Sequence, residues 1–195
     1  MRQAAGHNGA DREAPSTRLR LDVEAFLDGY WQKQPLVLRQ ALPEPPDWIN
    51  GDELAGLAID DALPSRLVRG NTEQSWRVTH GPLPESLFAE LPERDWTLLV
   101  QDLDKRYPRY RELLGAFDFL PSWRLDDVMV SYAVPGGSVG PHVDEYDVFL
   151  IQARGRRRWQ WSRHYDPQTR DDTELSVLAA FEAEDGFVAE PGDLL

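Results

Sequence analysis

The chain has 195 residues, 34 acidic against 21 basic side chains, a formal charge of −13 and no cysteine. Those numbers exclude disulfides, thiolate metal sites and cysteine nucleophiles, and they argue against a surface built to hold nucleic acid phosphates; any metal must be held by His, Asp or Glu. With 41% hydrophobic residues, among them 7 Trp, 7 Phe and 6 Tyr, the chain can bury a core. No apolar run approaches the roughly 20 residues that cross a bilayer, so a cytoplasmic protein without a membrane partner is expected.

Residues 1–18 are polar and rich in Ala and Gly, and read as a flexible tail. Residues 19–195 read as one domain, a helical annex to about residue 122 followed by a strand-rich core over 123–195. In "LDVEAFLDGYWQKQ", Val23, Phe26, Leu27, Tyr30 and Trp31 fall at helical spacing, and Pro35 stops the helix before a short strand, "PLVLRQ". A Pro-rich connector leads to a second helix that Asp52 could cap. "SRLVRG" and "SWRVTHGPL" predict two strands joined by the Asn71 turn region, and "DWTLLVQDLD" predicts a third. A helix follows from about Arg109 to Phe117.

From Trp123 the pattern turns to β. "WRLDDVMVSYAV" alternates and ends at the turn "PGGSVG"; "PHVDEYDVFLIQA" is the next predicted strand, "RG" a tight reversal and "RRRWQWS" the return. After a polar loop, "VAEPGDLL" reads as a turn entering another strand. Strands at short intervals with Gly/Pro turns suggest a sandwich or barrel, because the alternating strand and helix units of a Rossmann sheet are missing.

Two constellations carry chemistry. On a strand, residues i and i+2 share a face roughly 6.6 Å apart, so His142 and Asp144 would project side by side as two ligands of one metal, the start of a two-histidine, one-carboxylate site. H-x-[DE] arises by chance roughly 0.7 times in such a chain, and an exposed strand end is the plain alternative. In "RRRWQW", Arg157 shares a face with Trp159 and Trp161, while Arg156 and Arg158 share the other. If the Trp face is interior, Arg157 needs a counter-charge. A carboxylate of a bound organic acid would meet it bidentately; one of the chain's own acidic side chains would also serve. "PGGSVGP" lacks the Gly-Lys-Ser/Thr ending of a phosphate loop and reads as a turn that admits the strand to the metal.

The strings "WRLDDVMVSY", "PGGSVGPHVDEYDVFLIQARGRRRWQW" and "EPGDLL", with "YWQKQPLVLR", "DELAGLA", "SRLV" and "HGP" upstream, resemble the JmjC-type cupin core of the bacterial ribosomal oxygenases from about Leu21 onward. The resemblance implies a mainly β fold with N-terminal helices, the double-stranded β-helix or cupin jelly roll. It implies Fe(II) as cofactor, 2-oxoglutarate as cosubstrate, and hydroxylation of an arginine in a ribosomal protein of the uL16 type. It assigns His142 and Asp144 to the iron, Arg157 to the distal carboxylate of 2-oxoglutarate, and Ser131 to a hydrogen bond with the same cosubstrate. Tyr146, on the His142/Asp144 face, becomes a candidate for lining the substrate pocket, a core tyrosine being the other reading. The partner implied is a basic ribosomal protein with no direct nucleic acid contact, and a homodimer is implied for the full-length family member.

One ligand of the implied set has no match. In the family a histidine follows the "PGD" strand; here Leu195 is the last residue, so the third ligand is expected beyond Leu195 and the barrel is expected to be incomplete at its C-terminus. His7, His80 and His164 match no ligand position. Two alternatives stand beside the oxygenase: a non-catalytic cupin that binds a basic protein, and another cupin metalloenzyme with no 2-oxo acid.

Overall fold

The structure, a computed structural model, describes residues 18–46, 48–71 and 75–195. The predicted tail and His7 lie outside the described residues, apart from Arg18. Helix α1 (Val23–Gly29) is capped by the Asp22 carboxylate, which accepts from the Ala25 amide at 3.0 Å, and it buries Phe26. Helix α2 (Gly51–Ile59) is capped by Asn50, not by Asp52. Asn50 accepts from the Glu53 amide while Glu53 accepts from the Asn50 amide, a reciprocal box that satisfies two donors. Asp52 falls inside the first turn, where its charge still complements the helix N-terminus.

Strands β1 (Ser65–Arg69), β2 (Arg77–His80), β3 (Trp96–Val100) and β4 (Val130–Ala133) form one antiparallel sheet in the order β2-β1-β3-β4. Helix α3 (Glu85–Ala89) lies between β2 and β3 in sequence, and α4 (Leu103–Arg106) and α5 (Pro108–Leu114) follow β3. The loop between β1 and β2 runs from Asn71 into residues outside the described set. The register pairs Leu67 with Leu98 and Leu98 with Tyr132 on one face, and Arg66 with Leu99 and Leu99 with Ser131 on the other. The first face packs on the helices: Leu67, Leu98 and Val100 meet Leu54, Ala58, Leu103 and Tyr110. On the second, Val68 and Leu99 meet Trp76 and Val177. Strand β3 is therefore covered on both sides, which explains why its run "WTLLV" is apolar but for the buried Thr97.

The smaller sheet pairs β5 (Arg157–Trp161) with β6 (Asp185–Ala189), Trp159 opposite Phe187. Both sheets are antiparallel with the helices toward the N-terminus, the class expected. Several boundaries differ. "PLVLRQ" is no strand; it makes one bridge, Leu38 to Leu194. Of "WRLDDVMVSYAV", only Val130–Ala133 is strand, after a 3-10 turn at Ser122–Arg124. Strand β6 starts before the Pro-Gly turn rather than after it, and beyond that turn Leu194 bridges Leu38 and Ile151. The loop before β6 is not wholly polar in role, since it lays Val177 and Leu178 into the core.

"PHVDEYDVFLIQA" also departs from the expectation. Its paired backbone begins only at Leu150, which exchanges hydrogen bonds with Leu195, and residues 142–148 are exposed with no ladder among the described residues. Alternating composition marks a strand only where a neighbouring strand takes up its N–H and C=O groups.

Candidate active site

The glycine loop after β4 steers the chain to the first candidate residue. Gly140 has φ +80°, and a β-carbon there would lie 2.7 Å from Val177 Cγ2, so only glycine lets the backbone pass close to Val177 at that angle. Its carbonyl then orients His142. The ring Nδ1 lies 2.9 Å from Gly140 O, and a carbonyl only accepts, so Nδ1 carries a proton and, in the neutral ring, Nε2 presents its lone pair. A metal-binding histidine is held in the same way, through its second ring nitrogen.

His142 Nε2 lies 3.5 Å from Asp144 Oδ2. Two donors each about 2.1 Å from one ion lie roughly 3–3.5 Å apart, so the pair fits two positions of one metal. Their adjacency comes from an extended, unpaired segment rather than from a strand face. Among the described residues no group of three His, Asp or Glu side chains gathers to hold a metal. His80 is exposed and stands 3.5 Å from Glu174. His164 pairs with Glu184, whose carboxyl that hydrogen bond pulls down to about 2. Neither histidine reaches His142.

The second constellation forms where β5 approaches β4. Arg157 Nη1 donates to Ser131 Oγ at 3.2 Å, and its Cζ stands 5.5 Å from the Trp159 ring centroid. Burial lowers the Arg157 pKa below the ordinary guanidinium value, and no acidic group acts on it in return. Its counter-charge is thus not an acidic side chain among the described residues. The strand faces divide as the sequence suggested: Arg157, Trp159 and Trp161 are half-buried while Arg158 and Gln160 are exposed, and exposed Arg156 stands 3.8 Å from Glu190. The His142–Asp144 and Arg157–Ser131 pairs form separately, with no hydrogen bond or ion pair joining them among the described residues.

Tyr146 is 69% exposed and is therefore no core tyrosine. With Asp144, Tyr30, Trp31, Phe149 and Trp161 it lines an open groove of about 660 Å³. Sequence reasoning missed two supports. The Gly140 carbonyl that sets the His142 tautomer leaves no side-chain signature. Asp193, 2% exposed, accepts from Arg39 at 2.6 Å and from the Gln40 and Glu190 amides; an acid set before two leucines in "PGDLL" was the available sign.

Residues 112–195 match the JmjC domain family. Over 179 residues, 91% of this chain, the sequence is 42% identical to the ribosomal protein uL16 3-hydroxylase of Escherichia coli and covers 47% of it. The X-ray structure of E. coli YcfD matches with a TM-score of 0.84 at 41% identity, over 91% of this chain and 47% of that one. YcfD, a ribosomal oxygenase from E. coli, in complex with cobalt and 2-oxoglutarate matches at 0.78 and 41% identity over 91% and 45%. The chain spans less than half the length of these curated relatives. Residues 112–195 thus match the JmjC domain, and the chain as a whole has the fold of the ribosomal oxygenase structures it resembles.

Proposed function

We propose that this chain supplies the cosubstrate clamp and two metal ligands of an Fe(II)- and 2-oxoglutarate-dependent hydroxylase acting on an arginine of a ribosomal protein of the uL16 type. The observation that carries the reading is Arg157, a half-buried guanidinium held by Ser131 with no carboxylate of the described chain to neutralise it. A dicarboxylic acid would meet that cation with two parallel hydrogen bonds, and the Ser131 hydroxyl would add a third. The likeness to a relative whose structure holds cobalt and 2-oxoglutarate supports the same assignment.

In this reading His142 gives its Nε2 lone pair and Asp144 its carboxylate to the ion, while the Gly140 carbonyl keeps the imidazole in the tautomer that can bind. Among the described residues no third donor joins them. When bound, Fe(II) with 2-oxoglutarate supplies C–H hydroxylation coupled to decarboxylation of the cosubstrate. Arg157 and Ser131 fix the far end of the acid, and Tyr146, on the groove shared with Asp144, faces the incoming substrate. A basic loop of a ribosomal protein suits a chain of net charge −13, and the cytoplasm is where such a substrate is met.

Titration calorimetry of 2-oxoglutarate with Co(II) tests the clamp, and mass spectrometry of a uL16 loop peptide for the gain of one oxygen tests the reaction. Both are run on the purified protein. Arg157→Met should weaken 2-oxoglutarate by at least about tenfold, consistent with loss of a charge-assisted bidentate contact; His142→Ala or Asp144→Ala should abolish hydroxylation. Unaltered 2-oxoglutarate affinity in Arg157→Met would point to a different cupin metalloenzyme. Peptide binding that ignores chelation and all three substitutions would point to a non-catalytic binding module.

A further inference from the structure

The segment that carries both proposed metal donors is poorly tied to the fold. Residues 142–148 are all exposed and make no backbone hydrogen bond among the described residues; Pro141 accepts from Leu178 before them, and Leu150 pairs with Leu195 after them. The turn after α1 touches the segment at two points. Trp31 stacks on Phe149, ring centroids 6.0 Å apart and planes 13° from parallel. Gln32 donates its side-chain amide to Asp147 Oδ2 at 3.0 Å, across 115 residues of sequence. Gln32 sits at φ +56°, a left-handed conformation uncommon outside glycine, in a turn closed by the Lys33 and Gln34 amides on the Tyr30 carbonyl. The turn thus presents a ring and an amide, side by side in sequence, to positions 149 and 147. Asp147 is three residues from Asp144, with only exposed chain between.

We infer that Gln32 is a positioning residue: by donating to the Asp147 carboxylate it sets the course of the segment that presents His142 and Asp144. Stacking at Phe149 holds the end of the segment, and Phe149 also contacts Phe26 and Phe117. It does not restrain the chain ahead of residue 149. The Gln32 contact acts closer to the donors, and it is the one side-chain hydrogen bond among the described residues that joins residues 143–148 to another element. The N-terminal annex in this view sets the metal site as well as covering the core. The purpose assigned to Gln32 rests on the metal reading above; the tether itself does not.

The chain has no cysteine, so Glu145→Cys gives one point for a nitroxide between Asp144 and Asp147, and Glu90→Cys, at the end of α3, gives a distant control. Three variants are compared in each background, with electron paramagnetic resonance for mobility and Co(II) titration of the unlabelled chain for affinity. Gln32→Ala removes the donor, Gln32→Glu sets carboxylate against carboxylate, and Asp147→Asn keeps an acceptor oxygen for Gln32. Both Gln32 variants should mobilise the label at 145 but not at 90, and weaken Co(II) by roughly threefold to tenfold, the range for loss of one hydrogen bond. Asp147→Asn should leave mobility and affinity near those of the parent. Identical spectra at 145 for parent and both Gln32 variants overturn the positioning role of Gln32, as does equal mobilisation at 90, or an Asp147→Asn as mobile as Gln32→Ala. Should the parent bind no Co(II), the metal reading fails while the spectra at 145 still decide the tether.

Discussion

The four-stranded sheet and the stretch from His142 to Leu150 are held by different physics. In the sheet, register and burial agree: each residue of β3 has cross-strand partners, and Leu98, Leu99 and Val100 are buried between two packed faces. The site segment has neither ladder nor burial over residues 142–148, and a carbonyl, a glutamine and an aromatic stack hold it in place. Order in the first region comes from apolar area and backbone pairing, which tolerate change at any one exposed atom. In the second it comes from a few polar contacts, each of which counts. The difference teaches where this chain separates stability from chemistry: substitutions in the sheet should unfold it, and substitutions in the site segment should leave it folded and disable it.

Leu98→Ala is the strongest test of the first half of that contrast. The side chain is 1% exposed and lies between β1 and β4 over the α2 helix, so its truncation should cost about 2–5 kcal/mol by chemical denaturation. A loss under about 1 kcal/mol would mean that the sheet is not the stabilising core.

Asp193 lies outside both regions, and its carboxylate takes the Arg39 guanidinium and the Gln40 and Glu190 amides. Asp193→Ala should cost about 1–3 kcal/mol, because those donors lose their acceptor. Burial pushes the carboxyl pKa up, yet the Glu190 and Gln40 amides and Arg39 outweigh it, and the native pKa lies below the ordinary value of 3.8. A depressed carboxyl contributes stability that is fully present above its unfolded pKa and is lost as pH falls through the folded one. Acid unfolding of the parent below about pH 4 should therefore carry a component that Asp193→Ala lacks, read as a flatter dependence of the denaturation midpoint on pH.

Much of the scaffold was legible in the sequence because its signals are local or periodic. The run "DWTLLVQDLD" announced a strand, and the alternation in "RRRWQW" put Arg157 on the Trp side, where the structure has it beside Ser131. What failed depended on neighbours far along the chain. "PHVDEYDVFLIQA" alternates well enough for a strand, but pairing needs a second strand, and composition says nothing about which one comes alongside. "PLVLRQ" failed for the same reason. The Asn50 cap was missed because Asn and Asp both satisfy the capping rule and only the backbone decides between adjacent candidates. His142 and Asp144 do lie together, at 3.5 Å, though through a carbonyl-held imidazole in an unpaired segment and not through the strand period that suggested it.

Arg157 sharpens the contrast by setting function against stability at one residue. Its guanidinium is desolvated without a carboxylate, and exchanging an uncompensated buried cation for an apolar chain of similar length removes that cost. Arg157→Met should leave the denaturation midpoint unchanged or raise it, by up to about 1 kcal/mol in stability, in the same variant that loses 2-oxoglutarate. A clear destabilisation would instead mark Arg157 as a structural cation whose bond to Ser131 holds the two sheets.

The smallest effect belongs to Tyr146. Its ring is 69% exposed and makes no ring contact or hydrogen bond among the described residues, so Tyr146→Ala removes little buried area and should change stability by no more than about 0.5 kcal/mol. Because the ring lines the groove that Asp144 also lines, the same substitution should weaken a basic peptide while sparing 2-oxoglutarate, whose proposed contacts lie at Arg157 and Ser131. Calorimetry of both ligands separates the two expectations. A stability loss above about 1 kcal/mol would show the ring packed in solution, and the division between a buried scaffold and an open site segment would then not extend as far as residue 146.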